Sequence, residues 1–196
     1  MISSVIGCGH SGSESAETAE SEAKETETVV EEAPAPFTVT VTDQAGRTVT
    51  IEEEPQSIVS GYYISTSLLI ALDQKDKLVG IEAKADKRPI YRLSAPELIE
   101  LPNVGTAKEF DLEGCAALEP DLVILPLRLK DSAVILEDLG MDVLLVNPES
   151  QELLTEMIQM VAKACNRENK AEALLSFLSE KETYLRAALG DVDAPS

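Results

Sequence analysis

A helix that has to stop and a strand that has to be buried stand back to back at Asp111-Leu112-Glu113-Gly114-Cys115-Ala116-Ala117-Leu118-Glu119-Pro120-Asp121-Leu122-Val123-Ile124-Leu125. Asp111 can accept a hydrogen bond from the first-turn backbone and so open a helix. Leu112, Cys115 and Ala116 then fall on one apolar face. Pro120 ends that helix, because it lacks an N–H and its ring clashes with the preceding turn. Asp121 opens a run of apolar residues with no polar residue alternating, the pattern of a strand covered on both faces. Strands of that kind belong to parallel sheets with helices on either side, which points to an α/β fold.

The rest of the chain supplies the matching parts. Phe37 to Thr42 and Thr48 to Glu52 alternate like a hairpin, turned by Asp43-Gln44-Ala45-Gly46 and ended by Pro55. Ser57 to Gly61, Lys77 to Glu82 and Asp142 to Asn147 read as buried strands. Tyr62 to Leu72 reads as a helix with Leu68, Leu69 and Leu72 on one face. Residues 83–100 are a long excursion with one or two short helices. Asp131 to Leu139 is a helix carrying Val134, Ile135 and Leu136, stopped by Gly140. Ser150 caps a helix striped by Leu153, Leu154, Met157, Ile158, Val161 and Cys165. A last helix runs from about Asn169 to Leu189, roughly 30 Å long at 1.5 Å per residue. Alternating strands and helices predict a doubly wound, mostly parallel sheet with right-handed crossovers.

Residues 1–36 differ in character from residues 37–196. Between residues 9 and 36, eight Glu against one Lys carry −7 of the net −20, leaving −13 for the remainder. That segment is rich in Ser, Glu, Thr and Ala and cannot bury enough apolar surface to order itself, so it is expected to be a disordered acidic tether. Such acidity argues against nucleic-acid binding, which needs a basic footprint. Gly7-Cys8-Gly9-His10-Ser11-Gly12 matches G-x-G-x-x-G, but no strand precedes it and no periodic helix comes after it, so it is not a dinucleotide site. Cys8, Cys115 and Cys165 form no disulfide framework. Cys115 and Cys165 sit on apolar helix faces and read as small buried hydrophobes.

Four segments carry a resemblance, three of them to one family. Leu101-Pro102-Asn103-Val104-Gly105 with residues 110–124 resembles the pattern "P-x-V-G … N-L-E-x-I-x-A-L-x-P-D-L-V-I" of substrate-binding proteins of ABC importers, in the branch that carries iron-siderophores, haem or cobalamin. Asp43-Gln44-Ala45-Gly46-Arg47 with Val49 and Ile51 resembles the "D-x-x-G-R-x-V-x-I" hairpin of the same proteins, and Ala71-Leu72-Asp73 to Gly80 is similar to their "A-L-D-x-x-D-x-L-V-G". The resemblance covers residues 37–190, about half of the family's usual length. It implies a lobe of the class III periplasmic-binding-protein type at residues 37–149, with residues 150–190 holding two helices, the second a backbone helix joining two lobes. The second lobe would begin at 191–196. Val5-Ile6-Gly7-Cys8 resembles a bacterial lipoprotein processing site, which makes residues 1–8 the remnant of a signal, Cys8 the lipidated residue and Met1 either an internal methionine of a longer signal or the start of a clipped gene.

Ligands of such sheets gather beyond the carboxyl ends of the strands. Those ends bring forward Tyr62 and Tyr63, whose ring faces and polar tips suit a flat or chelate-bearing ligand. They also bring forward Arg88, Tyr91, Arg92, Arg128 and Lys130, whose charges suit carboxylates or anionic chelates. Glu113 matches the Glu of the family's "N-L-E" segment, which the resemblance makes a docking residue for permease Arg side chains.

There is no G-x-S-x-G, P-loop or H-E-x-x-H, and the single histidine, His10, lies in the tether. No catalytic set, resident cofactor or metal site is therefore expected. The resemblance implies a monomeric, lipid-anchored, extracytoplasmic receptor that takes a ferric siderophore, haem or a corrinoid and hands it to an ABC permease. Two other readings remain open: an α/β cofactor-binding or enzymatic domain with the same sheet, and a truncated fragment that binds nothing.

Overall fold

A computed structural model describes residues 37–189. Cys8, the tether of residues 9–36 and the expected start of a second lobe at 191–196 lie outside them. The strands are β1 (Val39–Thr42), β2 (Thr48–Ile51), β3 (Ile58–Ser60), β4 (Leu78–Ile81), β5 (Leu122–Pro126) and β6 (Asp142–Val146). The helices are α1 (Tyr63–Ala71), α2 (Pro89–Ser94), α3 (Leu112–Ala116), α4 (Lys130–Asp138), α5 (Gln151–Ala164) and α6 (Glu168–Leu189), with short 3₁₀ turns between several of them.

β3 to β6 form one all-parallel sheet in the order β4-β3-β5-β6. The apolar run after Pro120 becomes a central strand buried along its whole length. Because side chains alternate across a strand, the two faces of the sheet feed separate cores. Ile58, Leu122, Ile124, Leu144 and Val146 face α1 and α5 through Leu69, Leu72, Met157 and Val161. Val59, Val123, Leu125, Val143 and Leu145 face α3 and α4 through Cys115, Ala133 and Leu136. The fold is α/β and doubly wound, as the alternation of elements requires.

Added backbone flanks both edges of the sheet, that of β4 at its carboxyl end, which shortens the exposed strand edge that invites aggregation. On one side residues 102–105 run beside β4: Ile81 donates to the Pro102 carbonyl, and Val104 and Ala83 donate to the carbonyls of Ile81 and Gly105. On the other side the β1–β2 turn seals β6, and Asp43 is the clamp. Its carboxylate is buried, with one oxygen accepting from the N–H groups of Ala45 and Arg47 at 3.0 and 2.9 Å. The other accepts from the Arg47 guanidinium at 2.7 and 2.8 Å and from the Leu145 N–H at 3.1 Å. Arg47 also donates to the Val143 carbonyl and to Glu137. Gln44 completes the edge, donating its backbone N–H to the Leu145 carbonyl and accepting from Asn147 N–H. The Asp43…Gly46-Arg47 spacing thus has a mechanical reason: acid, tight turn and base must meet against β6.

α5 is capped by Ser150, whose hydroxyl accepts from the Leu153 N–H at 3.2 Å. α6 is 22 residues, about 33 Å by its rise. Only its first half packs, through Ala171, Leu174, Leu175 and Leu178, while Phe177, Tyr184, Leu185 and Leu189 are exposed.

Removing the Asp43 carboxylate leaves a partly buried Arg47 and the β6 edge without their acceptor. Asp43→Ala is expected to destabilise the domain by about 3–5 kcal/mol, read as a lower urea midpoint at unchanged m-value. A loss below about 1 kcal/mol would contradict the clamp.

Candidate functional site

A cleft of about 880 Å³ opens at the carboxyl ends of the strands. It lies at the switch point of the sheet, where the chain leaves β3 toward β4 on one side while β5 lies on the other, the place where open parallel sheets hold ligands. Four connections build its wall: Gly61–Tyr63 after β3, Glu82–Arg88 after β4, Pro126–Lys130 after β5, and Val146–Glu149 after β6, joined by Gly105–Ala107. Gly61 lets the first of these turn close to β5. Its N–H donates to the Ile124 carbonyl at 2.9 Å, and a Cβ there would stand 2.6 Å from Leu125 Cδ2. Gly105 has φ +82° and a Cβ would run into the Glu109 carbonyl, so only glycine suits that corner.

Tyr62 and Tyr63 meet edge to face, with ring centroids 5.1 Å apart and planes at 69°. Tyr62 is half-buried and packs against the core, and burial raises its hydroxyl pKa. Tyr63 is more open, 40% exposed. The Arg88 guanidinium lies over the Tyr63 ring with Cζ 4.2 Å from the centroid, a cation–π contact. Lys84, Arg128 and Lys130 also line the cleft and make no ion pair among the described residues. Glu149 is the exposed acid on the rim.

Under this surface lies a chain of buried polar groups. Glu82 follows β4 and is 5% exposed. Its Oε1 accepts from the Tyr91 hydroxyl and its Oε2 from the Thr66 hydroxyl, both at 2.7 Å. Thr66 also contacts Ser60 Oγ at 2.8 Å, and Ser60 contacts Ser65 Oγ at 2.7 Å. Ser60, Ser65 and Thr66 in turn reach the Tyr62 carbonyl. The start of α1, and with it the placement of both tyrosines, is therefore fixed by hydroxyls that end on one carboxylate. Burial pushes the Glu82 pKa up, against the opposing pull of Tyr91, Thr66 and Arg88.

The cleft brings Tyr62, Tyr63, Arg88, Arg128 and Lys130 together on one wall. Tyr91 is corrected: it is fully buried and absent from the lining, because α2 turns it inward onto Glu82 and the Tyr63 carbonyl. Arg92 is exposed on α2 outside the lining. Glu113 is exposed in the first turn of α3, after an Asp111 cap that accepts from the Gly114 N–H at 2.8 Å. Cys8 lies outside the described residues. Glu82 and Lys84 were not singled out by residue type and spacing, although an acid closing the apolar run Leu78 to Ile81 at a strand's carboxyl end was a signal available for Glu82. Cys115 and Cys165 are buried, with thiols pushed up to about 11 and about 12 by burial, which leaves them unreactive. Among the described residues no three His, Cys, Asp or Glu come together as a metal site, and no helix is long and apolar enough to cross a membrane.

Residues 58–195 match the periplasmic binding protein family, which takes in every strand of the sheet and every wall of the cleft. The chain belongs to the periplasmic binding protein family. An ABC transporter substrate-binding lipoprotein of Bacillus subtilis, YvrC, is 32% identical over 144 residues, covering 71% of this chain and 43% of the relative. Solved structures share the fold, among them two binding proteins. The molybdate periplasmic binding protein MolA of Haemophilus influenzae superposes with a TM-score of 0.70 at 22% identity, covering 80% of this chain and 55% of that one. The petrobactin-binding protein YclQ of Bacillus subtilis does so at 0.68 and 18% identity, with the same coverage. This periplasmic binding protein chain spans about half the length of the relatives it matches, and its described part is one lobe.

Two measurements test the buried network. Tyr91→Phe is expected to cost about 1–3 kcal/mol of stability by removing a donor to a buried carboxylate. A carboxyl whose folded pKa is raised holds its proton more tightly folded than unfolded. Its contribution is intact below the ordinary value of 4.5 and is lost as pH rises through the folded value. The stability difference between wild type and Glu82→Gln should therefore move in favour of the Gln variant as pH climbs from 4.5 toward neutrality. A difference independent of pH would contradict the raised value.

Proposed function

We propose that the chain is the first cargo-binding lobe of a receptor for an ABC importer and that its cargo is a ferric siderophore. The observation that carries the reading is the cleft wall: four basic side chains and two adjacent tyrosines converge on one face of a chain of net −20. Basic residues gathered against that background favour an anionic ligand. Membership of the family and the YvrC likeness support the receptor role. The cleft along this wall, about 880 Å³ and open on its other side, has room for a ligand of siderophore, haem or corrinoid dimensions. YclQ, which binds petrobactin, shares the fold.

In this reading Arg88, Arg128 and Lys130 meet the anionic chelate, Tyr62 and Tyr63 pack against it, and Tyr91 positions Tyr63 from beneath. A second lobe closes the other side of the cleft. Glu113 is a docking residue for permease Arg side chains. Cys8 is the lipid anchor that holds the receptor outside the cell membrane, with residues 9–36 as its tether. The chain carries out no chemistry on the cargo.

Calorimetry with a ferric catecholate, a ferric hydroxamate, haem, cobalamin and molybdate tests the cargo class. A ferric siderophore is expected to bind most tightly, and Arg128→Ala to weaken it about tenfold, near 1.4 kcal/mol. Binding of molybdate alone would overturn the reading. In a transport-competent receptor, Glu113→Lys should slow uptake and leave cargo affinity unchanged. Uptake at the wild-type rate would remove Glu113 from docking.

A further inference from the structure

Arg88 differs from the other cations of the cleft in having a carboxylate beside it. Its Nε is buried, lies 4.0 Å from Glu82 Oε1 and has no hydrogen-bond partner among the described residues. The guanidinium is held by attraction to Glu82 and by the Tyr63 ring. Each Glu82 oxygen already accepts from one hydroxyl, Oε1 from Tyr91 and Oε2 from Thr66. The Tyr91 hydroxyl lies between two acceptors, Glu82 Oε1 at 2.7 Å and the Tyr63 carbonyl at 3.2 Å, and carries one proton.

Two proton arrangements satisfy this geometry. When Glu82 is charged, Tyr91 and Thr66 both donate to it and the carboxylate draws Arg88 toward the wall. When Glu82 is neutral, its carboxyl O–H donates a hydrogen bond to the Tyr91 oxygen, and the Tyr91 O–H turns to donate to the Tyr63 carbonyl. Arg88 then has only the ring to hold it. We propose that Glu82 is a positioning residue that sets how far Arg88 is free to meet an anionic ligand in the cleft: charged Glu82 retains the guanidinium, neutral Glu82 releases it. The inference rests on the reading of the cleft as an anionic-chelate site.

The groups set against Glu82 are few. The segment from Ala85 through α2 contributes Arg88 and Tyr91. α1 and β3 contribute only the uncharged hydroxyls of Thr66, Ser65 and Ser60. Lys84, two residues along the chain, shares the cavity lining and is exposed. Among the described residues no second acid stands beside the carboxylate to share its proton, and its burial favours the neutral form more than an exposed acid would allow.

The test is the nitrogen-15 signal of Arg88 Nε, followed from pH 4 to 8 in the 196-residue chain. In the wild type it should follow a single carboxyl titration, and in Glu82→Gln it should stay flat. Tyr91→Phe removes a donor to the charged carboxylate and should move the midpoint upward. A signal that titrates alike in wild type and Glu82→Gln, or a midpoint unmoved by Tyr91→Phe, overturns the proposal. Calorimetry adds the ligand arm. At pH 7.5 Glu82→Gln should bind an anionic ferric catecholate about fivefold more tightly and an uncharged ferric hydroxamate no differently. An equal change for both overturns the proposal. If neither chelate binds any variant, the cargo reading fails while the Arg88 titration still decides the role of Glu82.

Discussion

The parallel pairing of β3 with β5 is the contact on which the cleft depends. Ile58, Val59 and Ser60 lie level with Leu122, Val123 and Ile124, and the ladder ends where Gly61 donates to the Ile124 carbonyl. Past that point the two chains part, one into the Tyr62–Tyr63 turn and the other through Pro126 toward Arg128. The gap between them is a consequence of strand order, because β3 sends its crossover to β4 on the far side. The strands that meet here are almost wholly apolar and buried, so hydrophobic burial fixes the point at which the polar loops diverge. At about 25 cal/mol per Å² of apolar surface removed from water, two sheet faces filled with Leu, Ile and Val supply the driving force. The loops need only be held, not folded, by their own contacts.

What holds them is polar, and in this the cleft wall and the hairpin clamp share a logic. Asp43 fixes the turn against β6 by filling its carboxylate with donors. Glu82 fixes α1 and α2 in the same manner, through Thr66 and Tyr91. The difference is compensation. Asp43 has a guanidinium in direct hydrogen-bond contact, while Glu82 has Arg88 only at 4.0 Å. A buried acid without a close cation is costly when charged. The cleft wall therefore contains a buried acid that holds its proton more tightly than an exposed one would, set beside the cation nearest the tyrosines.

Most of the scaffold was legible in the residues. Pro120 and the unbroken run Leu122 to Leu125 force a helix stop and then a fully buried strand, and the structure has both. Ser150 and Asp111 cap their helices as their side chains allow. The loops at the strand ends were also legible, since the carboxyl ends of parallel strands are known once the strands are. What residue types do not reveal is which way a loop side chain turns. Tyr91 and Tyr63 look alike in sequence, yet Pro89 starts a short helix that buries Tyr91 while Tyr63 opens α1 facing outward. Glu82 was missed for a related reason. Its importance comes from Thr66 and Tyr91, 16 and 9 residues away, and no local pattern brings those three together.

The central claim is that cargo meets this lobe at the carboxyl ends of β3 to β6. Amide chemical-shift mapping with a ferric catecholate added to the labelled chain tests it most directly. Perturbations should concentrate at residues 61–63, 82–88, 105–107, 126–130 and 146–149, the segments that line the cleft. Shifts confined to the exposed second half of α6, with the cleft loops unmoved, would contradict it.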